Sequence, residues 1–243
     1  MWLFFCLSAP AALAGVRCGM AEGYPPFQFV EQGQPTGFDV AVLQLVAQKA
    51  GLALQLEAGR WDDIVARGRL GQYDCIAGME ITPARQRWFR FTQPYYLRRS
   101  GVFVRSDDSH LKGLADLIGG IISGDRDSAL ERELDELGIK HRIRIRQLES
   151  KEQSMQLLRD GKLSAVVMPD AVAYRLAAQL GVDIRPLRRE MLQTAPVAIA
   201  VPLAEAELLP RLQEALDKLQ ANGELARLWR KYCPACGALP AGQ

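Results

Sequence analysis

The chain has 243 residues, 49% hydrophobic and 24% charged, with 30 Lys and Arg against 28 Asp and Glu for a formal net charge of +2. That is the balance of a globular protein with ample material for a core, and it lacks the clustered basic field that grips nucleic acid. The length admits one or two domains, and no internal stretch approaches the roughly 18 apolar residues of a membrane-spanning helix.

Residues 1–14 pair an apolar centre with the small-residue ending Ala12-Leu13-Ala14, the pattern of a secretory signal peptide, although a basic n-region is missing. The alternative is a buried N-terminal segment. On the signal reading the mature chain starts at Gly15 or Val16 and is exported to the periplasm. Val16 to Met20 reads as a strand leading into the rigid aromatic turn Tyr24-Pro25-Pro26-Phe27. Phe38-Asp39 opens a helix with Val40, Leu43, Val46 and Ala47 on its apolar face and a stop at Gly51. Leu52 to Leu56 alternates like a strand, Trp61, Ile64 and Val65 mark a helix face, and Tyr73 to Met79 is the next strand. Thr82-Pro83 then signals a helix start, since Thr can cap free N–H groups and Pro fits the first turn. Arg85 falls in that first turn, where a cation opposes the helix dipole unless something negative lies opposite. It is either a solvated arginine paired with an acid such as Glu80 or part of an anion site.

A second series follows from Val102 to Val104. Strands are expected at Gly119 to Ile122, around Ile143 and Ile145, and at Ala165 to Met168, with helices over Ser128 to Leu137, around Met155 and Leu158, and from Asp170 to Gly181. Ser123 to Asp127 is a polar loop. Ala195 to Val201 is a further strand, Leu209, Leu212, Leu216 and Leu219 stripe an amphipathic helix that packs on the core, and Glu224 to Tyr232 is the last helix. Strands alternating with helices argue for parallel α/β units. His110 and His141 are the chain's two histidines and stand at no metal-ligand spacing, so both are expected at the surface, and neither metal nor cofactor is expected. Cys6 leaves with the leader, so Cys18, Cys75, Cys233 and Cys236 remain, an even count that permits two disulfides in an oxidising compartment. Cys233-Pro234-Ala235-Cys236 follows a helix at the chain end rather than opening one, which favours a local disulfide over a thioredoxin-type redox site.

In order and spacing, Tyr24-Pro25-Pro26-Phe27, Gly37-Phe38-Asp39-Val40, Tyr73 to Met79, Ile81-Thr82-Pro83-Ala84-Arg85, Phe91 to Tyr96 and Ala165-Val166-Val167 with Asp170 resemble the periplasmic solute-binding proteins of polar amino-acid ABC importers. The resemblance covers nearly the whole mature chain. It implies a type II two-lobe α/β fold, each lobe a mostly parallel sheet flanked by helices, with a two-strand hinge and a ligand cleft between the lobes. Lobe 1 would comprise residues 16–98 and 194–243, and lobe 2 residues 99–193. By the same resemblance Tyr24, Phe27 and Trp61 face the ligand, and Arg85 holds its carboxylate with Thr82 beside it. Gly78 and Met79 offer backbone contacts, Gly124 belongs to the second-lobe loop, and Asp170 pairs with the ligand's ammonium. The expected partners are a small polar ligand and an ABC permease, with the protein itself a monomer. Cys18 and Cys75 fall on neighbouring strands of the first lobe, either as a tight disulfide or as two buried thiols.

Two positions depart from the family pattern. Glu80 stands where a hydroxyl usually donates to the ligand carboxylate, and Asp125 with Arg126 stand in a loop that usually offers donors. An ionised carboxylate only accepts. Either Glu80 neutralises Arg85 and Arg126 takes the carboxylate, or the ligand is not a standard α-amino acid and brings a cationic or hydroxyl-rich group to Glu80 and Asp125. The second reading is preferred. The stretch from Asp170 to Leu176 also resembles exported cyclohexadienyl dehydratases, but their catalytic glutamate would fall at Ala173, which has no proton to give. No enzyme activity is therefore expected. A sensor or accessory role, for instance beside an exported quinoprotein dehydrogenase, remains the alternative.

Overall fold

The computed structural model describes residues 14–125, 128–188, 193–236 and 238–239. The expected leader lies outside them apart from Ala14, which already begins β1 (Ala14–Ala21). Around the Tyr24 turn, with its cis Pro25–Pro26 peptide, β2 (Gly23–Tyr24), β3 (Gln28–Glu31) and β4 (Gln34–Thr36) form a small antiparallel sheet. There follow α1 (Phe38–Lys49), β5 (Leu52–Gly59), α2 (Trp61–Arg69) and β6 (Cys75–Glu80). The Thr82 start is real but brief. Thr82 caps α3 (Pro83–Gln86), a single turn of four residues, by accepting from the Arg85 amide, so the dipole there is small. β7 (Phe89–Phe91) leads into β8 (Tyr96–Arg105).

The second half runs β9 (Ile121–Ser123), α4 (Ala129–Glu136), β10 (Arg144–Arg146), α5 (Lys151–Arg159), β11 (Ala165–Pro169), α6 (Asp170–Leu180) and β12 (Ile184–Pro186). Ser128 and Ser150 cap α4 and α5 through their hydroxyls, and Gly181 ends α6 in the left-handed region. β13 (Gln193–Pro202), α7 (Leu209–Ala221) and α8 (Glu224–Tyr232) return to the first half.

The strand order β10-β9-β11-β8-β13-β6-β1-β5 shows how two α/β units share one chain. β5, β1 and β6 pair in parallel at one end, as do β11, β9 and β10 at the other. The two ten-residue strands β8 and β13 join them, antiparallel to each other from Gln193 opposite Ser100 to Val197 opposite Tyr96. Each then extends into a different unit: β8 pairs with β11 and β12, and β13 with β6 and β7. This is a two-lobe type II fold with a two-strand hinge. Leu212, Leu216 and Leu219 bury against the main core, as their spacing predicts, and Trp229 seals the same cluster beside Phe38 and Tyr96. Cys18 lies directly opposite Cys75 in the β1–β6 register, with Cα atoms 4.5 Å apart, and the two sulfurs are bonded, which decides between the two open readings. Cys233 and Cys236 form the second disulfide.

Candidate functional site

Three small cavities of about 20 to 50 Å³ meet at Tyr24 and Asp125 between the lobes. The first-lobe wall comes from the C-terminal ends of β1, β5 and β6: Ala21, Tyr24, Trp61, Gly78, Glu80 and Arg85. This is where an open α/β sheet offers a binding crevice. The opposite wall is Ser100, Gly124, Asp125, Lys151 and Val167.

Arg85 is buried at the end of the one-turn helix. Its Nη1 donates to the Glu80 carbonyl at 3.1 Å, and its guanidinium carbon lies 5.4 Å from the Trp61 ring centroid. Arg85 makes no ion pair among the described residues, so the alternative in which Glu80 neutralises Arg85 is not the arrangement present. The Glu80 carboxylate turns instead to the hinge, 3.9 Å from Arg98 Nη1 and accepting from Ser100 Oγ at 3.4 Å. The physical reason is strand alternation. Glu80 ends β6 with its side chain toward β8, while α3 swings Arg85 back under Trp61. Asp125 is likewise held, 2.5 Å from Lys151 Nζ, and that ammonium lies 5.6 Å from the Tyr24 ring centroid. Burial pushes the Tyr24 hydroxyl well above its ordinary pKa against the pull of Arg98, so it stays protonated and can donate.

Beneath the cleft sits a network that the sequence reading missed. Asp39, fully buried at the start of α1, accepts from Gln28 at 3.0 Å, Tyr95 at 2.8 Å and Arg98 at 2.8 Å. Arg98 also donates to the Gly78 carbonyl and to Tyr96, and lies under the rings of Tyr24 and Phe27. Desolvation alone would lower the Arg98 pKa, but Tyr96, Asp39, Tyr24 and Glu80 outweigh it and keep the guanidinium charged. Burial pushes the Asp39 carboxyl up, opposed by Arg98 and its three hydroxyl and amide donors. Gly78 makes the approach possible. Its φ of +51° lies in the left-handed region, and a Cβ there would stand 1.9 Å from Asp39 Oδ2. The signals were present: two arginines, Arg98 and Arg99, inside a strand, and Lys151, a cation in the first turn of a helix, as at Arg85.

Of the expected site residues, the cleft gathers Tyr24, Trp61, Gly78, Glu80, Arg85, Gly124 and Asp125. Thr82 borders it through its cap on Arg85. Met79 is packed in a core cluster with Ile64 and Phe89. Phe27 stacks on Tyr96 and lies tilted against Trp229 behind the hinge, and Asp170 pairs with Arg99 there while accepting from the Ala171 amide at 2.7 Å. Both line a separate cavity away from Arg85. β11 and β8 run antiparallel with Pro169 opposite Ser100, so the chain delivers Asp170 beside Arg99 rather than Ser100. Arg126 lies outside the described residues. Ala173, where a dehydratase would need its acid, is buried in the core. His110 and His141 are exposed.

The family model of bacterial extracellular solute-binding proteins, family 3, matches residues 16–235. A probable amino-acid-binding protein, YxeM of Bacillus subtilis, is 27% identical over 212 residues, 85% of this chain and 79% of its own length. The L-arginine-binding protein of Pseudomonas aeruginosa is 28% identical over 240 residues, 93% of this chain and 91% of its own. Among solved structures, an ancestral arginine-binding protein bound to glutamine superposes with a TM-score of 0.80 at 26% identity, covering 91% of this chain and 99% of that one. Among the described residues no helix is long and apolar enough to cross a membrane.

Proposed function

The chain belongs to the bacterial extracellular solute-binding proteins of family 3, and from that premise we propose that it captures a small polar, amino-acid-like ligand in the cleft and delivers it to an ABC importer. On this reading it is exported behind residues 1–14, with one lobe of residues 16–98 and 194–243 and the other of residues 99–193. The observation that carries the reading is Arg85. It is buried, stacked on Trp61, bonded to a carbonyl, and lines the cleft with its charge uncompensated by any ion pair among the described residues. A ligand carboxylate is the natural partner for such a guanidinium fork. Glu80 and Asp125 accept only, so the other end of the ligand carries N–H or O–H donors. A cationic amino acid or a relative of one fits both ends, in keeping with the arginine-binding protein it resembles.

The cavities at the cleft, none above about 50 Å³, are smaller than an amino acid, so uptake runs through opening about β8 and β13 followed by closure. A thermal-shift screen of amino acids, their amides and polyamine-like cations tests the proposal. A ligand at a hundred times its dissociation constant stabilises the fold by about 2.7 kcal/mol. Stabilisation by a cationic amino acid that is lost in Arg85→Ala supports the reading. No stabilisation by any carboxylate-bearing compound would overturn it.

A further inference from the structure

A cavity far larger than those of the cleft lies elsewhere in the molecule. It measures about 810 Å³ and lies across the hinge. Alternation along the two hinge strands fixes its side. Ser100 and Ala195 line the cleft with Glu80 and Arg85, whereas their neighbours Arg99 and Thr194, a registered pair, line the large cavity with Leu97. One wall is α6, through Asp170, Ala171, Tyr174 and Arg175. The other is Phe27 with Trp229, Tyr232 and the Cys233–Cys236 disulfide at the end of α8. The hinge is therefore a fulcrum with a nearly filled cleft in front and an open cavity behind.

We propose that this rear cavity is a second small-molecule site, selective for an anionic aromatic compound such as an aryl carboxylate or sulfonate. Its volume falls in the roughly 300–1,000 Å³ range of small-ligand pockets. Four aromatic rings, Phe27, Tyr174, Trp229 and Tyr232, stand among its apolar walls, with Tyr174 48% exposed at the edge and placed edge-on to Phe103. Its charge is lopsided: Arg98, Arg99 and Arg175 face a single acid, Asp170. Asp170 is spent on Arg99, and Asp39 and Glu80 hold Arg98. Arg175 spans the lobes, with its guanidinium carbon 5.6 Å from the Phe29 ring centroid, and, with no ion pair among the described residues, is left for the ligand's anion. An aromatic body between Tyr174 and Tyr232 gains apolar burial, and its anion gains a charge-assisted contact at the rim.

The site also couples to the cleft. In front, Lys151 reaches over Tyr24, and Ser150 crowds Gly23 so closely that a glycine Cβ would lie 3.3 Å from the serine Cβ. Rotation about β8 and β13 that parts these groups moves α6 toward α8 and shrinks the rear cavity. An occupant behind the hinge therefore resists opening and tightens the hold on a cleft ligand, and linkage makes the effect reciprocal.

The test is a fluorescence titration with 8-anilinonaphthalene-1-sulfonate, an anionic aromatic probe. We expect one saturable site on the folded protein, weakened about tenfold or more in Ala171→Trp, which fills the cavity, and in Arg175→Glu, which reverses the charge at its rim. Arg85→Ala should bind the probe like the parent, which separates this site from the cleft. No saturable binding to the parent, equal probe binding in the parent and both rear variants, or loss of probe binding in Arg85→Ala alone, overturns the proposal. If Ala171→Trp fails to fold by circular dichroism, Arg175→Glu at its exposed position decides the matter alone.

Discussion

Arg98 and Asp39 meet 2.8 Å apart with 5% and 0% of their side chains exposed, one from a hinge strand and the other from the first turn of α1. The pair ties the hinge strand β8 to the start of α1. Two charges taken from water gain little net stability together, but removing one strands the other. Arg98→Ala is expected to destabilise the fold by about 3–5 kcal/mol, read as a lowered urea midpoint. Asp39→Leu with Arg98→Met should recover much of that loss, and a double-mutant cycle measures how much.

Gly78 is the position that permits this pair. Gly78→Ala adds a Cβ against the Asp39 carboxylate and requires a left-handed conformation that costs an L-residue about 1–2 kcal/mol before any clash. Chemical denaturation should show a loss larger than that figure. A variant within about 0.5 kcal/mol of the parent would mean that the network rearranges freely.

Glu80 and Asp125 set the sign of the ligand's second group. Glu80→Gln keeps a hydrogen-bonding group for Ser100 and removes the charge. Calorimetry should find a cationic ligand weakened by about tenfold or more, matching the roughly 1.5–3 kcal/mol of a hydrogen bond to a charged group, with neutral analogues little changed. Lys151→Met frees the Asp125 carboxylate and should shift preference toward cations. A shift toward anions would remove Asp125 from the site.

The two disulfides should differ in weight. Cys18 and Cys75 close a separation of 57 residues, and Cys233 and Cys236 a separation of 3. In the chain-entropy picture a loop as long as the first contributes about 4 kcal/mol, the shorter loop less. Replacing Cys18 and Cys75 by Ala should lower the melting temperature more than replacing Cys233 and Cys236. Mass spectrometry with and without reductant verifies the bonding in the parent.

Much of this molecule follows from local pattern. The elements from α1 to α8 lie where apolar spacing and caps place them, because helix and strand periods are properties of neighbouring residues. Thr82-Pro83 forecasts a helix start, and Arg85 in that turn announces an unmet charge. Tertiary structure alone decided where the charges went. Glu80 turned to Arg98 rather than to Arg85 five residues away, because strand alternation, not proximity in the chain, sets a side chain's face. Asp170 reached Arg99 on the far side of the hinge because the β11–β8 register, with Pro169 opposite Ser100, sets it down there at the start of α6. Ion pairing between residues such as Asp39 and Arg98, 59 apart, depends on how the first turn of α1 and the hinge strand β8 are brought together. The chain's order of residues carries no mark of that meeting until the sheet has formed.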